Sequence, residues 1–137
     1  LELMRPVTRG LVAEKAWATM GGFVDYLPEE KSFALMSEVP DAESNLRISS
    51  YAQNKELVAK LVAKFDDDML IELTKASLAA PELMREVCLV AEKLPDDILT
   101  RMAHLKSHFS QEQQTKLYGY AKSHGFASLA RLYDLVQ

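Results

Sequence analysis

Leu94-Pro95-Asp96-Asp97-Ile98-Leu99-Thr100-Arg101-Met102 spells the start of a helix: an apolar residue, a proline, two carboxylates, then apolar residues at helical spacing. Proline suits a first turn, where its missing N–H would have had no helical partner, and the acids offset the positive end of the helix dipole. The phrase recurs as Leu27-Pro28-Glu29-Glu30, as Phe65-Asp66-Asp67-Asp68 and, more loosely, as Phe109-Ser110-Gln111-Glu112. In every copy the residue eight places after the leading apolar one is Leu or Met: Leu35, Leu73, Met102 and Leu117. A helix-start signal tied to a fixed apolar offset marks stacked helical units, since each must turn, start a helix and bury one stripe.

Outward from these phrases, residues 60–77 match 89–106 at an offset of 29, pairing Phe65 with Leu94, Asp67 with Asp96, Leu70 with Leu99 and Leu73 with Met102. A helical hairpin is a natural unit of that length. The pattern predicts a first helix over 8–20, weakened or ended by Gly21-Gly22, and a second over 28–38 that stops at Pro40. Asp41 to Asn45 reads as a loop, and Leu46, Ile48 and Tyr51 as a short segment of unsettled type. Asn54 and Asp66 read as N-caps, Pro81 with Glu82 opens a helix apolar nearly all round, and Ser110 with Gln113 has the spacing of a capping box. Pro95 restarts the chain for Ile98, Leu99, Met102 and Leu105. Gly125 closes the helix before it, and Phe126 to Val136 form a last short one. The expected fold is all-α, a single domain over 1–137, with about eight short helices in a right-handed superhelical stack of the armadillo or HEAT kind. An irregular helical bundle is the alternative.

A chain of 137 residues buries roughly two-thirds of its unfolded surface and needs no metal or disulfide to hold a core. Its 48% hydrophobic and 26% charged residues are those of a globular chain. Cys88 is the only cysteine and lies between Val87 and Leu89, so it reads as a buried small hydrophobe in a reducing, cytoplasmic setting. A net charge of -4 removes the cationic field that phosphate binding depends on, so nucleic acid is not an expected partner. No apolar run approaches the roughly 20 residues of a membrane span, and no signal-peptide pattern opens the chain. It begins Leu1-Glu2-Leu3-Met4, without an initiator methionine, so a fragment of a longer protein is one expectation.

The Leu-Pro-acid-acid phrase with its Leu- or Met-ended helix, Leu27 to Leu35 and Leu94 to Met102, resembles the helical repeats in the N-terminal cytosolic domain of MgtE-type magnesium transporters. It is similar also to the armadillo-like stack of FliG-type flagellar rotor proteins. The resemblance covers 23–37 and 57–117, where Phe65-Asp66 replaces Leu-Pro. It implies a superhelix with a protein-interaction or regulatory role.

Stacked units would gather Asp66, Asp67, Asp68, Asp96 and Asp97 on one edge, where carboxylates hold magnesium through retained waters. The competing and stronger reading makes them caps and dipole partners of their own helices. His104 and His108 stand four apart on an expected helix, a spacing that presents two imidazoles to one metal; a place on the surface or at a negative helix end is the stronger reading. A thiol among Val87, Leu89 and Val90 has a raised pKa, which argues against Cys88 as a nucleophile. No glycine-flanked serine elbow and no glycine-rich phosphate loop occur. Trp17 and Met20 on the first helix, and Tyr118, His124, Arg131 and Tyr133 near the end, are the aromatic, basic and methionine side chains that interface hot spots favour.

The sequence therefore predicts a non-catalytic helical module, with no cofactor, that presents a groove or end face to another protein. Six methionines and the apolar helix after Pro81 support the alternative of a bundle holding an apolar small molecule, with Met84, Met102 and Leu105 around it. A helical enzyme using His104, His108 and acids around a metal is the third expectation.

Overall fold

Asp66 accepts the amide N–H of Met69 at 2.9 Å, Asn54 that of Leu57 at 3.1 Å and Asp41 that of Ser44 at 2.9 Å, so three helices begin where a short polar side chain can replace the missing backbone acceptor. A computed structural model describes residues 16–39 and 41–135, with side chains through 131. Its helices are α1 (Trp17–Tyr26), α2 (Glu29–Ser37), α3 (Ala42–Tyr51), α4 (Lys55–Ala63), α5 (Asp67–Ser77), α6 (Pro81–Ala91), α7 (Asp96–His104), α8 (Gln111–Ser123) and α9 (Ala127–Leu135), with a 3₁₀ turn over Leu105–His108. The fold is all-α, and no strand occurs among the described residues.

Each repeated phrase does what its residues suggest. The marker residues Leu35, Leu73, Met102 and Leu117 are all buried, as are the leading Phe65, Leu94 and Phe109, while Leu27 is half-buried. Ser110 and Gln113 form the reciprocal capping box at 3.1 and 2.9 Å. Pro81 occupies the first turn of α6, but Pro28 and Pro95 lie one residue earlier than expected, in extended conformation at the N-cap. Their carbonyls accept the first helical N–H groups, Ser32 at 2.9 Å and Leu99 at 3.2 Å.

Two expectations are corrected. Of the first helix, residues 8–15 lie outside the described residues, and α1 runs straight through Gly21-Gly22 to Tyr26. Gly21 is buried where α1 meets the end of α3, and the missing side chain lets the two backbones touch. Residues 41–51 are not a loop followed by an unsettled segment but Asp41 capping a full helix, α3. Pro40 lies outside the described residues; α2 ends at Ser37 with Glu38 as its cap.

Helices pack on the helix two places further on, α1 on α3, α2 on α4, α3 on α5, α4 on α6 and α6 on α8, which is the neighbour order of helices in successive layers. Around that order α6 also meets α3, α5 and α9. It buries Leu83, Met84, Val87, Cys88, Val90 and Ala91 together with Glu86, and it is the centre of the core that its apolar residues implied. Gly125, at φ 77°, turns the chain after α8 so that α9 folds back on α8 and α6.

Candidate functional site

Two helix ends carry the large apolar side chains that the core leaves outside. Among the described residues these are Phe23 (39% exposed) and Tyr26 (93%) of α1 and Tyr51 (54%) of α3. Gly21 draws the inward side of α1 onto Tyr51 and Ala52 at the end of α3. Asp25 locks the arrangement: its carboxylate accepts the N–H groups of Gln53 at 2.8 Å and Asn54 at 3.0 Å, so the last turn of α1 holds the α3–α4 connection. Gly22, on the same outward side as Phe23 and Tyr26, has open space where a side chain would stand. The aromatic rings therefore project from a fixed base.

The sequence placed the α1 surface on Trp17 and Met20, and here it is corrected. Met20 is fully buried and Trp17 half-buried, because the side of α1 that carries Met20, Gly21 and Val24 faces inward. Phe23 and Tyr26 stand on the opposite side. No local signal distinguishes the two, since both sides of α1 carry large apolar residues.

At the other end, Tyr118 is also withdrawn from the surface. It is buried on α8 under Lys106, whose ammonium lies 5.4 Å from the ring centroid, and burial pushes its phenol up to about 12. The same burial pulls the Lys106 ammonium below its ordinary range. His124 is exposed and stacks on Tyr120 at 4.0 Å, with Nδ1 2.9 Å from the Tyr120 carbonyl oxygen, so it finishes α8. Arg131 is exposed on α9; the side chain of Tyr133 lies outside the described residues.

The acidic residues behave as helix-end chemistry requires. Asp67 pairs with Arg101 at 2.8 Å, and the same guanidinium donates to the Phe65 carbonyl at 2.9 Å. In the corresponding position of the first phrase Glu29 pairs with Lys64 at 2.7 Å, and this hydrogen bond and charge hold the Glu29 carboxyl below its usual range. Asp66 is the N-cap of α5, and Asp96 and Asp97 are exposed in the first turn of α7. His104 ends α7 while His108 ends the 3₁₀ turn, so the tighter winding takes the two imidazoles off a common α-helical face. Among the described residues no group of three or more His, Cys, Asp or Glu is placed to hold a metal ion.

Cys88 is fully buried in α6, and burial together with the Glu92 carboxylate pushes its thiol up to about 12. No protein-family model, curated protein or solved structure matches this chain. No helix among the described residues is long and apolar enough to cross a membrane.

Inside, a partly open pocket of about 30 Å³ lies among α3, α4, α5, α6 and α7. Of Met84, Met102 and Leu105, expected around an internal pocket, Met102 lines it, Met84 packs elsewhere in the core and Leu105 begins the 3₁₀ turn. Close by, Glu86 of α6 is buried against Lys55 of α4, whose ammonium reaches both carboxylate oxygens at 2.5 and 2.8 Å and the Ser49 carbonyl at 2.8 Å. Burial raises the Glu86 carboxyl above its ordinary range against the pull of Lys55.

Proposed function

We propose that this chain is a non-catalytic helical module that binds another protein through the aromatic ends of α1 and α3. The observation that carries the reading is Tyr26, which is 93% exposed on a helix end whose base is tied down by Asp25. A fixed backbone beneath the side chain leaves only its two torsions to be ordered on binding, and tyrosine offers both apolar area and a hydroxyl to a partner. Phe23 and Tyr51 are the other exposed large apolar side chains of these two helices, and the bare backbone at Gly22 leaves room for a partner chain to approach α1. The pairing of α1 with α3, α2 with α4, α3 with α5, α4 with α6 and α6 with α8 supports a superhelical stack of the armadillo kind, a form that serves as a docking surface. A regulatory role in the cytoplasm fits the lone buried Cys88.

The test is differential capture. Wild-type domain, the Tyr26→Ser/Tyr51→Ser double variant and a His124→Ala control are used as bait against one lysate, with the melting temperature of each recorded. The expected result is a protein retained by wild type and control and lost by the tyrosine variant at unchanged stability. Identical sets of bound proteins for all three baits would overturn the reading.

A further inference from the structure

The end of α3 is finished by a borrowed cation. Had the helix continued, the N–H of Gln53 would bond the Ser49 carbonyl, but Asp25 of α1 takes that N–H and the next. The Ser49 carbonyl accepts instead from Ala52 N–H at 3.1 Å and from the Lys55 ammonium at 2.8 Å. Lys55 is the first residue of α4, and its charge also suits the negative end of the α3 dipole. The same ammonium reaches both carboxylate oxygens of Glu86 on α6, at 2.5 and 2.8 Å. Its three hydrogens thus have three acceptors, and one amine ties α3, α4 and α6 together beside Tyr51.

The two charges of this tie stand in different surroundings: the Glu86 side chain is 2% exposed and that of Lys55 is 23% exposed. Lys55 is the cation that acts on Glu86. On the helices packed against α6, the side chains of Glu56 and Lys60 of α4, Asp67, Asp68, Glu72 and Lys75 of α5, Glu112, Lys116 and Lys122 of α8 and Arg131 of α9 are exposed. Glu43 and Arg47 of α3 pair with each other, and Glu82, Arg85 and Glu92 of α6 itself are exposed. The grip of α6 on the end of α3 therefore passes through a single charge pair.

We infer that Glu86 and Lys55 form a proton-operated latch: when Glu86 takes up a proton, Lys55 extends into solvent and the last turn of α3, which carries Tyr51, is released from α6. A neutral carboxyl can stay in the core without a counter-ion, whereas an ammonium that has lost its anion regains full solvation only in water, which Lys55 already touches. Burial holds the Glu86 carboxyl above its ordinary range against the pull of Lys55, so the fold favours the neutral form more than the unfolded chain does, and the latch opens in a molecule that stays folded. Asp25 keeps its hold on Gln53 and Asn54, which confines the release to the turn before them. The latch stands on the fold alone; its bearing on partner binding through Tyr51 rests on the function proposed above.

The test is an NMR titration of the free protein from about pH 7.5 to about pH 4, following the Glu86 carboxyl carbon and amide hydrogen-exchange protection in wild type and Glu86→Gln. In wild type the protection of the Ala52 amide should fall at least about tenfold, as befits the loss of a hydrogen bond from a charged group, with the midpoint of Glu86 itself, while the Leu73 amide in α5 keeps its protection. In Glu86→Gln the Ala52 amide should be weakly protected throughout, without that inflection. Should Glu86→Gln fail to fold, the Lys55→Met/Glu86→Leu double variant takes its place with the same expectation. An Ala52 amide that stays protected while Glu86 titrates, an inflection at another midpoint or shared by the variant, full protection in the variant, or loss at Leu73 together with Ala52 would each overturn the latch. No partner enters the measurement, so its failure leaves the binding role of the aromatic side chains untouched.

Discussion

Gly21 stands so close to Tyr51 that a β-carbon on it would lie 2.8 Å from both the carbonyl carbon and the β-carbon of that tyrosine. Backbone cannot swing aside as a side-chain tip can, so Gly21→Ala must push α1 off α3. The expected cost is about 1–3 kcal/mol, that of overpacking, less whatever helix propensity returns. Gly22→Ala meets nothing within 4 Å and should instead gain up to about 1 kcal/mol as an exposed helical alanine. Opposite signs in urea unfolding of these adjacent variants check the close approach; equal effects would refute it.

Asp25 serves a connection 28 residues away, accepting two N–H groups there. Asp25→Ala should cost about 1–2 kcal/mol, like the loss of a helix cap. Calorimetry should show a melting temperature lower by roughly 3–7 °C. The binding of a partner at Tyr26 should weaken with it, since the base of that side chain is released.

Lys55 and Glu86 must be removed together or not at all. Lys55→Met leaves a buried carboxylate without its cation and should cost about 3–5 kcal/mol, whereas Lys55→Met with Glu86→Leu should recover most of that loss. Chemical denaturation of the three proteins checks the coupling. The pH dependence has a definite sign. Because the folded-state pKa of Glu86 is raised above 4.5, the folded form binds a proton more readily than the unfolded form. The stability of wild type relative to Glu86→Gln should therefore rise as pH is lowered from neutrality through the raised pKa, and level off below the unfolded value.

Cys88 should be inert. Its thiol, fully buried and pushed up to about 12, carries almost no thiolate at pH 8. Ellman's reagent should leave the native protein unmodified and titrate one thiol once it is unfolded in guanidinium. Rapid native reaction would contradict the burial.

Leu73→Ala removes a buried side chain from the α5 core and should cost about 2–5 kcal/mol. Pro95→Ala changes an exposed N-cap residue with no side-chain cap bond and should stay within about 0.5 kcal/mol. Equal losses would break the link between the repeated phrase and its buried marker position.

What could be read from the chain is what is local. Asp66, Asn54 and Ser110 announce helix starts because a cap bonds an amide three residues away, and α6 announces the core through Leu83, Met84 and the apolar run Val87 to Ala91. α3 was hidden because its inward residues include Ser44, Asn45 and Ser49, which blur the apolar stripe that marks a helix. Gly21-Gly22 misled for a related reason: the benefit of glycine there lies in a contact with Tyr51, thirty residues on, that no local rule contains. The exposed surface depended on which side of α1 turns inward, and Met20 and Phe23 are equally apolar candidates for either side.

Several helix ends are finished by side chains from distant segments: Asp25 at the start of α4, Glu92 at Ser128 in α9, Lys116 at the Leu78 carbonyl after α5, Arg101 at the Phe65 carbonyl after α4. Fraying at one of these ends is thereby coupled to loosening elsewhere, and a peptide excised to span α4 alone would lose groups that finish it. Amide exchange should accordingly report one cooperative unit, with Gln53, Asn54 and Ser128 opening at the rate of the whole molecule rather than as loop amides.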